Sequence, residues 1–303
     1  MDINIDINDN MDNQKYWDRL KDKNRIVIKV GSSTLTCKET GNLNYLKLEK
    51  LVRMIANLKN QGKEVVLVSS GAVAVGREIL GIGRKPKKMS EKQACAAIGQ
   101  CRLMMEYSKL FSEYGLIASQ VLMTKYSIDT NEAYDNLKNT FEELLKYNVV
   151  PIVNENDTIA THEIEFGDND TLGAIVASII KADILILLTD TEGLYTDNPH
   201  INKNAIFIDT VTDNRNKLFK FAKKTSDSDV GTGGMYTKVS AANIINNIGI
   251  DMLIGSGKEP NIVLDMMDGK KSGTLFVSSE KKEIDIRNYL IESIKKENEI
   301  WNI

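Results

Sequence analysis

Histidine and cysteine are scarce in this chain of 303 residues: two histidines, His162 and His200, and three cysteines, Cys37, Cys95 and Cys101. The cysteines lack CxxC spacing, so neither a disulfide framework nor a zinc site can be assembled, and reduced thiols fit best. His162, alone in an acidic stretch, reads as an incidental polar residue rather than a catalyst. Proline occurs four times and marks no linker between domains. No apolar run approaches the roughly eighteen residues that would span a membrane. The amino terminus, MDINIDINDNMDNQKYWDRLKDKNR, also lacks the basic start and apolar stretch of a signal peptide. A cytoplasmic protein is expected. An excess of one charge is missing too: 39 basic against 42 acidic residues leave a net charge of -3, spread along the chain. Without a basic stripe, neither nucleic acid nor an anionic membrane is an expected partner, and small molecules are.

What the chain does contain is the balance of a globular protein, 42% hydrophobic and 27% charged. RIVIKV at 25–30, EVVLV at 64–68, LIASQVLM at 116–123, VVPIV at 149–153, DILILLT at 183–189 and TLFV at 274–277 read as strands. The first two and DILILLT are apolar without alternation, which suits strands covered on both faces. Between them lie helical stripes: Leu48, Leu51, Val52 and Ile55 behind an Asn44 cap, then Leu137, Phe141, Leu144 and Leu145. Ser90 and Gln93 have the spacing of a capping box opening a long helix toward Tyr114. Strands alternating with helices predict an α/β fold, a three-layer α/β/α sandwich with a mainly parallel central sheet. Residues 1–24 read as a mobile extension, 25–280 as the folded domain with a soft division near 180, and 281–303 as a helical tail packing through Ile286, Tyr289, Leu290 and Ile294.

In such a sheet, ligands bind beyond the carboxyl ends of the strands, so the residues there are the ones to inspect. The first strand runs into Lys29, Gly31, Ser32 and Ser33, and the second into Ser69, Ser70 and Gly71, each a glycine with hydroxyls able to meet an anion. VVPIV leads into NENDTIATHEIEFGDND at 154–170, and DILILLT into Thr189 and Asp190. A fifth element, GTGGMYTK at 231–238, is a glycine-rich entry to a helix through Ala241, Ile244 and Ile245, although it fits neither a Walker A nor a dinucleotide pattern. Lys29 and Lys238, from opposite ends of the chain, could converge on one phosphoryl group, because phosphoryl transfer depends mainly on positioning and fixed cations.

Six ordered motifs resemble the amino acid kinase family: KVGSS at 29–33, SSGAVAVGRE at 69–78, VPIVNENDTIA at 150–160, GDND at 167–170, LLTDTEGLYTDNP at 187–199 and GTGGMYTK at 231–238. The resemblance covers residues 25 to about 278. TDTEGLYTDNP is similar to the nucleotide-site pattern of aspartate and uridylate kinases, whereas NEND followed by GDND is similar to members acting on L-glutamate. The resemblance implies transfer of the ATP γ-phosphoryl group to the glutamate side-chain carboxylate, at the start of proline synthesis, with Mg2+ accompanying ATP. It places Lys29, Lys238 and Asp170 at the reacting phosphoryl, with Asp170 orienting the lysines. Ser70, Gly71, Asn154, Asp157 and Asn169 would hold glutamate. Gly31, Ser33, Thr189, Asp190, Thr232, Gly233, Gly234, Met235, Tyr236 and Thr237 would join the lysines around ATP. Asp168 or Asp170 would serve magnesium. The glutamate site falls mainly in 25–180 and the ATP site in 181–280.

The resemblance further implies a homo-oligomer, dimer or tetramer, feedback by proline, and hand-over of product to a glutamyl phosphate reductase. A carboxyl-terminal PUA domain, common in the family, is not expected here. Between NEND and GDND, the stretch TIATHEIEF reads as a solvated spacer exposing Glu163 and Glu165. The rival readings are another amino acid kinase, acting on aspartate, N-acetylglutamate or carbamate, and a catalytically silent sensor of amino acid or nucleotide.

Overall fold

The computed structural model describes residues 13–37, 40–161, 168–197, 201–212, 234–279 and 284–301. In chain order the elements are helix α1 (Gln14–Asp18) with a 3-10 turn (Arg19–Asp22), strand β1 (Arg25–Val30), α2 (Ser32–Leu35), α3 (Tyr45–Asn60), β2 (Glu64–Ser69), α4 (Ala72–Ile79), α5 (Met89–Ser112) and β3 (Ala118–Met123). There follow α6 (Tyr126–Asp129), α7 (Asn131–Lys146), β4 (Val150–Glu155), α8 (Asn169–Ile179), β5 (Ile184–Thr189), and the short β6 (Leu194–Tyr195), β7 (Phe207–Ile208) and β8 (Thr210–Val211). The last elements are α9 (Met235–Asn246), β9 (Asp251–Ser256), α10 (Ile262–Met267), β10 (Thr274–Phe276) and α11 (Ile286–Trp301).

Eight strands form one sheet in the order β3-β4-β2-β1-β5-β9-β10-β8, while β6 and β7 pair separately. All neighbours in the large sheet run parallel except β9 and β10. The four strands before residue 180 fill one half and the four after it the other, with β1 against β5 at the centre.

The pleat explains why central strands read as unbroken apolar runs. Val27, Val66, Leu185 and Leu187 point into a core shared with α7, α8, α9 and α11. Their neighbours Ile26, Ile28, Val65, Ile184 and Ile186 point into a second core under α1, α3 and α5. Successive side chains leave opposite faces of a strand, so both faces must be apolar when both are covered. The α3 stripe is buried as its spacing predicts, and the Asn44 side chain accepts from the Lys47 amide at 3.1 Å. In α11, Leu290 and Ile294 are buried and Ile286 and Tyr289 pack beside them.

Two local expectations need correction. Residues 13–24 are docked rather than loose: Trp17 and Leu20 are fully buried, the Trp17 indole donates to Thr210 Oγ1 at 3.0 Å, and Lys23 pairs with buried Asp251 at 2.8 Å. Acidic, Asn-rich composition hides a single large apolar side chain, and one buried tryptophan outweighs it. The capping box also does not form. The α5 start at Met89 has no side-chain cap, and Gln93 instead donates to Ala160 O at 3.2 Å. Glu91 takes the local amide, accepting from Lys87 N at 3.0 Å while paired with Arg84.

Candidate active site

A cleft of about 800 Å³ opens at the carboxyl ends of β1, β2, β4 and β5. Lys29 projects from the end of β1, and Lys238 comes up from the first turn of α9. Both meet Asp170 in the first turn of α8, Lys29 Nζ at 2.6 Å from Oδ1 and Lys238 Nζ at 3.2 Å from Oδ2. The Thr237 hydroxyl donates to the same Oδ2 at 2.9 Å. All three charged groups are buried, Lys29 at 8%, Lys238 at 4% and Asp170 at 1% exposure. Burial works against the ionised Asp170, but the charges of Lys29 and then Lys238 prevail and hold its carboxyl below the usual range. Two ammonium groups are thereby fixed at one carboxylate, beside open volume.

The two acids, of which the resemblance gave Asp170 to the lysines and either to magnesium, have different contacts. Asp168 caps α8: its Oδ1 accepts from the amides of Asp170 at 2.7 Å and Thr171 at 2.9 Å, and its Oδ2 from the Thr171 hydroxyl. Burial, reinforced by the charge of Asp170, pushes the Asp168 carboxyl up. Both lysines pair with Asp170, at 2.6 and 3.2 Å, while Asp168 is bonded to its own helix start.

Around the end of β2, Asn169 Nδ2 donates to Ser70 Oγ at 2.5 Å and lies 3.3 Å from Ser69 O and 3.4 Å from Asn154 Oδ1. Gly71 precedes α4 with φ at +102°, a left-handed value that a side chain would strain, so the chain turns tightly from strand into helix there. Asp157 lines the same cleft with 15% side-chain exposure, its Oδ1 3.4 Å from Lys92 Nζ. On the other side of Lys29 the wall is made by Gly31, Ser33, Thr189 and Asp190, and the Thr189 hydroxyl donates to Asp190 Oδ1 at 3.0 Å.

Not every expected residue reaches the cleft. Gly234 caps the start of α9, but Met235 and Tyr236 are partly buried against the hydrophobic core instead of lining the wall, because apolar and aromatic surface is drawn there. Thr232 and Gly233 lie outside the described residues, as do His162, Glu163, Glu165 and His200. Among the described residues the cysteines are unpaired, and no group of three or more His, Cys, Asp or Glu could hold a metal.

Sequence reading missed several contributors. Arg77, Lys85 and Lys92 add three cations to the cleft wall, from α4, α5 and the connection between them. Helices α4 and α5 touch through Gly76 and Gly99: a Cβ on Gly99 would lie 1.8 Å from Ala72 O, and one on Gly76 1.8 Å from Cys95 O. A glycine pair in separate helices could have signalled that contact. Gln100 on α5 accepts from Asn154 Nδ2 at 2.9 Å, and buried Tyr107 shares a hydrogen bond with Ser69 at 2.9 Å. No pattern marked either.

The fold has solved counterparts. UMP kinase from Ureaplasma parvum superposes with a TM-score of 0.60 over 84% of this chain and 99% of its own, at 16% identity. Isopentenyl phosphate kinase from T. acidophilum does so at 0.56 over 83% and 99%, at 17% identity. At such identities the likeness concerns fold alone. In sequence, the chain is 49% identical over 268 residues to glutamate 5-kinase of Clostridium acetobutylicum, covering 88% of this chain and 98% of that one. It is 51% identical over 257 residues to glutamate 5-kinase of Thermoanaerobacter sp. strain X514, covering 85% and 68%. The sequence pattern of the amino acid kinase family matches residues 24–256. With that match over most of its length, and relatives at about half identity, the chain belongs to the amino acid kinase family.

Proposed function

We propose that the chain is a glutamate 5-kinase, transferring the γ-phosphoryl group of ATP to the side-chain carboxylate of L-glutamate and forming L-glutamyl 5-phosphate for proline synthesis. The observation that carries the phosphoryl-transfer half is the Lys29–Asp170–Lys238 cluster at 2.6 and 3.2 Å. In such transfers the protein chiefly positions reactants and offsets charge spread over the migrating group. Asp170 holds both ammonium groups in place before ATP arrives, so little reorganisation remains. The glutamate reading is supported by relatives of that name at about half identity.

On this reading Ser70, Gly71, Asn154 and Asn169 hold the amino acid, and Asp157 takes its α-ammonium. Gly31, Ser33, Thr189, Asp190 and the start of α9 hold ATP, a helix start favouring phosphate oxygens. Magnesium fits as an ion carried by the ATP phosphates, since it is ordinarily held by one or two carboxylates plus phosphate. Asp168, a half-buried carboxylate beside another of the same charge on the cleft wall, would hold it, and the ion would offset phosphate charge. Asp170 is already committed to the lysines.

No helix among the described residues is long and apolar enough to cross a membrane. The same reading extends to a cytoplasmic homo-oligomer inhibited by proline that hands its product to a glutamyl phosphate reductase; family likeness alone supports these points.

The test is hydroxylamine trapping of the acyl phosphate with ATP, magnesium and each candidate acceptor. Hydroxamate is expected with glutamate. N-acetylglutamate should fail, because its acetylated nitrogen is uncharged and adds no cation at Asp157 to that of Lys92, 3.4 Å away, while its acetyl group must find room beside both. Aspartate lacks one methylene, worth only about 1 to 3 kcal/mol in binding, and should fail mainly through a misplaced carboxylate. Absence of hydroxamate from glutamate would sink the proposal.

A further inference from the structure

Helix α5 carries three polar residues seven positions apart, Gln93, Gln100 and Tyr107. Seven residues are nearly two helical turns, so the three share one face. Each bonds to a segment at the end of a cleft strand: Gln93 to Ala160 O, Gln100 to Asn154 and Tyr107 to Ser69. The middle contact has a directional consequence.

The Ser69 carbonyl oxygen can only accept, so Asn169 must turn its Nδ2 toward it. That nitrogen also faces Asn154, which must answer with Oδ1 and turn its own Nδ2 away. Asn154 Nδ2 meets Gln100 Oε1 at 2.9 Å in a buried contact, so an acceptor on α5 closes the chain of amides. At the opposite end, Ser70 Oγ accepts from Asn169 Nδ2 at 2.5 Å. Its hydrogen is therefore left for another partner, and Ser70 forms part of the cleft wall.

We propose that Gln100 is a positioning residue. By accepting from Asn154 Nδ2 it fixes the Asn154 amide with Oδ1 toward Asn169, which reinforces the Ser69 carbonyl in holding Asn169 Nδ2 at Ser70 Oγ and so favours donation by the Ser70 hydroxyl to the α-carboxylate of the amino acid substrate. The inference rests on the reading of that substrate as glutamate. Gln100 touches neither substrate nor phosphoryl group; it acts through two amides. Without its oxygen, Asn154 can rotate and turn its Nδ2 toward Asn169, whose amide is then held by the Ser69 carbonyl alone against a facing donor, and Ser70 spends part of its time with the hydrogen turned inward.

The test compares Gln100→Met, which removes the acceptor at similar volume, with Gln100→Glu, which keeps an acceptor oxygen whether or not it is protonated. Steady-state rates with glutamate are measured alongside inhibition by 4-aminobutyrate, which lacks the α-carboxylate. Gln100→Met should raise the glutamate KM about tenfold, with kcat, the KM for ATP and the inhibition constant of 4-aminobutyrate each within about twofold of the parent. Gln100→Glu should restore the parental glutamate KM. A folded Gln100→Met variant with unchanged glutamate KM would overturn the inference, and so would an equal weakening of 4-aminobutyrate or an equal defect in Gln100→Glu. If Gln100→Met shows no cooperative thermal transition, Gln100→Leu carries the same comparison. A parent chain that yields no hydroxamate from glutamate would instead overturn the substrate reading, and the inference with it.

Discussion

Asp168 and Asp170, two residues apart at the start of α8, are driven in opposite directions of acidity by what each touches. Burial and the neighbouring charge push Asp168 up to about 6. Burial also opposes charge on Asp170, but Lys29 and Lys238 more than compensate and hold it low. One helix start thus carries a strained anion beside a satisfied one.

That contrast gives a pH dependence with a definite sign. Between the ordinary aspartate value of about 4 and about 6, folded Asp168 binds its proton more tightly than the unfolded chain does. Stability therefore falls as pH rises through that window. The depressed Asp170 contributes in the opposite sense, and its contribution is lost only as pH falls below about 4. Asp168→Asn keeps an acceptor for the cap while removing the charge. Without magnesium it should raise the unfolding free energy by about 1 to 2 kcal/mol at pH 8, with the gain shrinking toward pH 4.5. Urea denaturation at both pH values checks this; equal effects at the two would contradict it.

Removing Asp170 should do the reverse. Asp170→Asn leaves Lys29 and Lys238 buried without their shared counter-charge, a loss of about 3 to 5 kcal/mol. Adding Lys29→Met should cost less than the separate effects sum to, because one of the uncompensated charges goes with it. A denaturation cycle over the two sites measures the coupling, and strict additivity would disconnect the pair.

Lys238→Ala should lower turnover by roughly 10²- to 10³-fold if its ammonium stabilises charge developing in transfer. Single-turnover acyl phosphate formation isolates this step from product release. Unchanged turnover in a folded variant would remove Lys238 from the mechanism.

Gly99→Ala tests how tightly α4 is held. Its Cβ would sit 1.8 Å from Ala72 O and 2.6 Å from Gly76 N, both backbone atoms with little freedom to yield. A destabilisation near the upper end of overpacking effects, about 3 kcal/mol, is expected. Ala72 follows Gly71 at the cleft, so the glutamate KM should rise as well. Thermal melts and steady-state kinetics read the two effects; wild-type behaviour in both would mean the helices separate freely.

The layers of the fold were legible because β1, β2 and β5 bury both faces, which removes polar alternation from RIVIKV, EVVLV and ILILLT. Lys29, Asp170 and Lys238 were legible because each sits in a motif at a strand end or helix start. What could not be read is what depends on distance across the fold. Gln100 and Asn154 are fifty-four positions apart, and no periodic signal marks their contact. That Asp168 caps α8 could not be read from a row of acids, where the choice of Asp170 for the lysines rested on the family resemblance alone, since only a helix start facing two lysines tells a cap from a counter-ion. Trp17 was missed because its segment is otherwise polar, and average composition says little about one side chain.

That tryptophan also supplies an optical reporter. The chain has two tryptophans, Trp17 and Trp301. Trp301→Phe would leave one indole, fully buried and bonded to Thr210 on the last strand of the sheet. Its emission should be blue-shifted in the native chain and move to the red when residues 13–24 detach, so a fluorescence spectrum alone could time the release of the amino-terminal segment against unfolding of the rest.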